Sequence, residues 1–281
     1  MFIIQPHYHA IARTTQDYER MAAAGVIAVA EPAFWAGFDR LYPETFIDYF
    51  RQISEFEPTR AAQYGIRHFC WVAVNPKEAE NPELSRAVLE KMPEFFEKPT
   101  VLGVGETGLH KSTPNEIEIF EAQVELAIRY DQLLLVHTPH LADKLYGTKR
   151  ILEVLKNFPL DPDKVWIDHV EEHTIRMVKD AGYWLGLTLY PITKCSPRRA
   201  VDILERYGWE RTLINSSADW GPSDPATLHE CIFDFRRRGH SLQQAIEVFH
   251  NNPVRFLGQN RKFDVPLIQV ETHEVGLVGF P

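Results

Sequence analysis

Eight short runs rich in apolar and β-branched residues recur along the chain, each followed by a longer stretch with helical periodicity. The runs fall at residues 2–5, 26–30, 68–74, 101–104, 133–137, 165–169, 183–189 and 212–216. Strands separated by helices imply parallel βαβ units, because a parallel neighbour is reached only through a crossover. Eight such units predict a closed (β/α)8 barrel of the TIM type. The helix over 116–130 is the clearest, with Ser112, Thr113 and Pro114 as its entry. Residues 1–262 are expected to form a single barrel domain. The stretch 34–64 is long for one crossover, and is read as an insertion with an extra helix near the barrel mouth. The tail, 263–281, alternates apolar and polar residues, which fits an added strand or a docking arm.

In such a barrel the C-terminal ends of the strands carry the active site. His7 and His9 form an HxH pair at the end of the first strand, and alternate residues of a strand point the same way. Glu106 ends the fourth strand, His137 the fifth and His169 the sixth, and Asp219 follows the eighth. An HxH pair alone is weak evidence for a metal. The spacing strengthens it: 31 residues separate Glu106 from His137 and 32 separate His137 from His169, one βα unit each. Core packing gives no reason to place ionisable groups at five strand ends, since buried charge is costly unless paired or metal-bound.

Read in order, HxH, Glu, His, His and Asp on barrel strands resembles the TatD-like branch of the amidohydrolase superfamily, whose members are metal-dependent hydrolases. Gly105-Glu106-Thr107-Gly108-Leu109 is close to that family's GEIGL motif. Glu121, Gln123 and Ala127 match its E-x-Q-x-x-x-A helix, and Asn252-Pro253 with Phe256 resembles its closing N-P-x-x-x-F signature. The resemblance runs to about Gly258. It departs at Gln5, where the family has Asp, at His110, where it has Asp, and at Thr138-Pro139, near which it often has Arg. The stretch His169-Val170-Glu171-Glu172-His173 looks more like the phosphotriesterase-like and lactonase relatives, which however bridge their metals with a lysine on the fourth strand.

The resemblance implies that His7 and His9 bind one divalent ion with Asp219, that His137 and His169 bind a second, and that Glu106 bridges the two. Imidazole and carboxylate suit zinc or manganese, with magnesium admissible. A hydroxide held between two such ions is nucleophilic at neutral pH, and Asp219 would carry its proton to the leaving group. Glu31, His110, His140 and His173 are candidates for substrate contact near the mouth. Each also has a plain reading as a strand cap or a solvated loop residue. His68 begins its strand, where a structural role is expected.

The expected substrate is a small ester, lactone, amide or phosphoester. A TatD-type deoxyribonuclease is the first alternative. The net charge of −9 argues against tight nucleic-acid binding. A catalytically idle barrel serving as a binding module is the second, hinted at only by Gln5. A decarboxylase on the same scaffold is the third, distinguished by using one metal. Three cysteines without a CxxC pair fit a reducing cytoplasm. Neither a membrane span nor a signal peptide is evident, and a homo-oligomer is admissible.

Overall fold

The computed structural model describes residues 2–140 and 143–269. Eight parallel strands follow one another in a single sheet in chain order. They are β1 (Ile3–Gln5), β2 (Val26–Glu31), β3 (Arg67–Val72), β4 (Val101–Gly108), β5 (Leu133–His137), β6 (Val165–Ile167), β7 (Trp184–Thr188) and β8 (Thr212–Asn215). With helices between them they form a nearly closed (β/α)8 barrel. Strand alternation divides the apolar residues into two buried clusters. Ile4, Trp71, Leu135, Trp166 and Leu213 belong to the inner one. Ile3, Val72, Val136, Ile167 and Ile214 pack outward against the helices.

Most strands differ from the expected bounds, and two of the differences bear on the site. β4 runs on to Gly108 because Thr107 and Gly108 keep pairing with Val136 and His137 of β5. β6 stops at Ile167, and His169 takes φ +60°, a left-handed conformation that ends the extended run.

No ladder joins β1 to β8 among the described residues; the seam closes at the mouth instead. Ser217 N donates to His7 O at 2.9 Å and His9 N to Ala218 O at 3.1 Å. Gln5 adds side-chain stitches. Its Oε1 accepts from Ser216 N at 3.1 Å, and its Nε2 donates to Ser216 Oγ at 3.0 Å and Pro225 O at 3.1 Å. A carboxylate could not donate to Pro225 O, so the amide at this departure from the family pattern closes the barrel.

The floor is closed by the last helix among the described residues. Phe256, in the helix Asn252–Leu257, packs its ring against Trp71, Trp166 and Trp184. Asn252 Nδ2 donates to Trp209 O at 2.7 Å and Thr212 O at 3.0 Å, tying that helix to the start of β8. The Asn and Phe of the closing signature thus have physical work at the floor. Asn252→Ala would leave both carbonyls short of a donor. The expected loss is about 1–3 kcal/mol, read as a lower urea midpoint at unchanged slope.

The stretch 34–64 divides into a loop and a helical run, Pro43–Arg51 continuing through Gln52–Phe56 to Glu57–Ala62. The helical part packs on β3 and on the helix Pro82–Lys91, as the ordinary crossover. What reaches the mouth is the loop ahead of it, through Phe34. The described part of the tail, residues 263–269, forms no strand. Phe263 packs its ring at a tilt against Phe69, and Ile268 exchanges two hydrogen bonds with Asn251. The rest of the tail lies outside the described residues. Among the described residues no helix is long and apolar enough to cross a membrane.

Candidate metal centre

The strand ends bring His7, His9, Glu106, His137 and His169 together, all buried. Glu106 is the hub. Its Oε1 lies 2.8 Å from His137 Nδ1, 3.0 Å from His169 Nε2 and 3.9 Å from His7 Nε2. His137 Nδ1 and His169 Nε2 are 3.1 Å apart, and His7 Nε2 and His9 Nε2 are 3.0 Å apart. Burial pushes His9, His137 and His169 well below the ordinary imidazole pKa, so they stand neutral, the form that ligates metal.

This donor set fits a divalent cation. His7 Nδ1 lies 2.6 Å from Asp168 Oδ2, and a carboxylate there can only accept, so the proton belongs on Nδ1. The lone pair of Nε2 then points at Glu106 and His9. Several lone pairs converge on one spot with too few protons to separate them, which a metal ion resolves. His7, Glu106 and His169 offer ligand atoms within 4.8 Å of one another. A second group of nitrogens, from His110, His137 and His140, meets the same limit just outside.

Asp219 lines the same small cavity, with Phe34, Asn75, Lys77, His140, Lys194 and Ser217. Its Oδ1 accepts from Tyr190 OH at 2.7 Å and Gly221 N at 2.8 Å. Phe34 stacks on the His9 ring, centroids 3.9 Å apart, and roofs one side of the site.

A match to the family model of TatD-related DNases spans residues 7–225. The chain belongs to the TatD family. It is 28% identical over 205 residues to an uncharacterized metal-dependent hydrolase of Methanocaldococcus jannaschii, covering 73% of this chain and 80% of that protein. Among solved structures it is similar to a TatD-like protein from Archaeoglobus fulgidus, at 29% identity and a TM-score of 0.77, over 91% of this chain and 99% of that one. A phosphotriesterase homology protein from Escherichia coli shares the fold at 14% identity and a TM-score of 0.67, over 91% and 98% of the two chains. The protein is a metal-dependent hydrolase, and a divalent metal goes with the family.

Around the centre of this TatD-family hydrolase, some sequence candidates lie elsewhere. Glu31 faces away from the histidine cluster. Its Oε2 meets His68 Nε2 at 2.8 Å and its Oε1 accepts from Ile11 N at 3.0 Å, which anchors the turn after His9. Burial pushes Glu31 up to about 8 and His68 down to about 4, so the two meet as a neutral pair. His173 is exposed, 3.9 Å from Glu171. His110 and His140 are half-buried, with ring centroids 6.1 Å apart, and His140 lies 5.1 Å from His137.

Four residues not singled out from sequence complete the site. Asp168 holds His7 and is itself held by Asn215 Nδ2 at 2.9 Å and Thr188 Oγ1 at 3.3 Å. Asn75 Nδ2 donates to Glu106 Oε2 at 3.0 Å. Tyr190 steadies Asp219, and Lys194 faces the cavity. Gln123, from the family's helix pattern, works one layer out. Its amide bonds Val74 N, Val74 O and Thr107 Oγ1, fixing the ends of β3 and β4 that carry Asn75 and Glu106.

Proposed function

We propose that this hydrolase cleaves a small ester, lactone, amide or phosphoester at a centre of two divalent ions, zinc or manganese, with magnesium admissible. The observation that carries the reading is the convergence of His7, His137 and His169 nitrogens on one oxygen of Glu106. His9 and Asp219 complete the ligand set. A divalent ion here supplies a Lewis acid for the scissile carbonyl or phosphoryl oxygen and makes water nucleophilic at neutral pH.

The chain's own groups do the rest. Among the described residues both hydrogen bonds to Asp219 fall on Oδ1, which leaves Oδ2 to take a proton from the attacking water and pass it to the leaving group. Tyr190 fixes the plane of that carboxylate, Asn75 that of Glu106, and Asp168 the tautomer of His7. Phe34 shields His9 from bulk water. His140, on the cavity wall, and His110 beside it would touch substrate at the rim.

A deoxyribonuclease reading would need a basic track. The late run Arg236 to Arg238 is spent within the chain. Arg237 pairs with Asp234, and Arg238 with Asp202, Glu205 and Asp234. The three buried free thiols support a cytoplasmic setting.

The test is metal content per chain in protein purified without a metal-affinity tag, followed by a panel of small esters, lactones and phosphoesters beside single-stranded DNA. Close to two metals per chain and turnover of a small substrate is the expected result. No metal uptake after reconstitution with zinc or manganese would sink the reading. DNA cleavage outpacing every small substrate would replace it with the nuclease.

A further inference from the structure

Two lysines reach the metal cavity without an acidic partner. Lys194, in the loop after β7, is only 7% exposed, and its ammonium lies 4.4 Å from the centroid of the Tyr190 ring. Lys77, half-buried in the loop after β3, lies 4.8 Å from the centroid of Trp35. Both line the cavity with Glu106, His137, His169 and Asp219. Among the described residues neither ammonium comes within the 4.0 Å of a carboxylate that defines an ion pair, and neither donates a hydrogen bond. Lys144 shows the contrast. It is equally buried, yet its Nζ donates to Thr138 Oγ1 at 2.9 Å and His169 O at 2.6 Å, and so has a structural task.

A buried ammonium with no carboxylate or hydrogen-bond acceptor in direct reach, as at Lys194, is costly, so a chain that keeps one beside a catalytic cavity keeps it for an incoming group. The charge balance gives the sign of that group. Lys77 and Lys194 formally cancel Glu106 and Asp219 on the cavity wall, and each divalent ion then adds two positive charges. With such ions bound the centre would be positive, even with the buried Asp168 counted, inside a chain whose net charge is −9. β3 and β7 stand four strands apart in the eight-stranded order, so the two lysines come from opposite sides of the mouth.

We propose that Lys194 and Lys77 form an anion subsite across the metal cavity, and that the substrate is a small ester carrying an oxyanion, phosphoryl or carboxylate, which the two ammonium groups clamp. The subsite rests on the hydrolase reading for its reaction, but as a place where an anion binds it stands apart from turnover. Neutral lactones and triesters would leave both ammonium groups unpaired, and are the poorer fit.

The experiment titrates inorganic phosphate, and separately acetate, into the metal-loaded full-length protein by calorimetry, with Lys194→Met and Lys77→Met beside the wild type. A charge-assisted hydrogen bond lost in a desolvated site corresponds to roughly a 10- to 100-fold weaker Kd. That loss is expected for Lys194→Met, with a smaller one for Lys77→Met. Whichever anion shows the larger loss identifies the group, phosphoryl or carboxylate. A kinetic arm compares 4-nitrophenyl phosphate with neutral 4-nitrophenyl acetate. Lys194→Met is expected to lower kcat/KM for the phosphate by a similar factor and at least tenfold more than for the acetate. Equal anion binding in the wild type and both variants overturns the subsite, and so does a wild type that binds neither anion. Lysine-dependent binding with no ester turned over keeps the subsite and overturns the small-ester part of the proposed function instead. Should Lys194→Met fail to fold, the half-buried Lys77→Met carries the same comparison.

Discussion

Glu106→Ala is expected to release the metal and to lower kcat/KM by about 1000-fold or more, because it removes the anion on which the centre is built. Glu106 Oε1 stands 2.8 Å from His137 and 3.0 Å from His169, and Asn75 occupies Oε2. Without the carboxylate, a divalent ion would meet imidazoles that burial keeps neutral and no charge at the hub. The stability change has two parts with opposite signs. A buried carboxylate costs free energy to desolvate, so the metal-free variant should melt at or above the metal-free wild type. The metal-loaded wild type gains RT ln(1 + [M]/Kd), about 4 kcal/mol at a thousandfold excess over Kd, and the variant should gain little of it. Metal content by mass spectrometry and melting with and without chelator separate the two. A variant that kept its metal and its metal-dependent stabilisation would remove Glu106 from the centre.

The cluster itself was legible in the sequence because a (β/α)8 barrel funnels strand ends to one place. A Glu or His that ends an apolar run has few other reasons to be there. His137 shows the rule at its plainest. It follows the inward-facing Leu133 and Leu135 at strand spacing, so its direction is set by alternation alone. Asp168 and His169 show where the rule gives out. Trp166 faces inward and Ile167 outward, so alternation points Asp168 in and His169 out. The left-handed backbone of His169, φ +60°, turns that side chain back to the centre, so both neighbours serve one site. A non-glycine residue held there is strained, and such strain gathers at functional positions. Lys194, Tyr190 and Asn75 were not legible for a different reason. They sit on loops after β7 and β3, where no period fixes direction and only the packed structure shows what each side chain reaches. Gln5 is the one hint in the sequence of an idle barrel. Its hydrogen bonds to Ser216 and Pro225 show a seam between the first and last strands.

Asp168→Ala should weaken metal binding by roughly 10- to 100-fold while every direct ligand stays in place, the usual effect of removing the partner that orients a ligand histidine. Asp168 is fully buried and accepts from His7 Nδ1 at 2.6 Å, Asn215 Nδ2 at 2.9 Å and Thr188 Oγ1 at 3.3 Å. Its loss frees the His7 tautomer and leaves buried donors unpaired, so stability should fall by about 3 kcal/mol even without metal. Gly186→Ala on β7 tests the same link without touching the carboxylate. A Cβ at Gly186 would overlap Asp168 Oδ1 and Trp166 Nε1, and the wall they form is too rigid to yield at no cost. The alanine should therefore push Asp168 off His7 and reproduce the weaker metal binding. Asp168→Ala/Gly186→Ala should then be no worse in metal affinity than Asp168→Ala alone, because the methyl's overlap with the carboxylate is gone and the one that remains is with Trp166 Nε1, which bonds no residue of the centre. Metal affinities from competition with a chelating dye give all four corners of that cycle. Additive losses would show that Gly186 acts on the barrel wall in general, and not through Asp168 on His7.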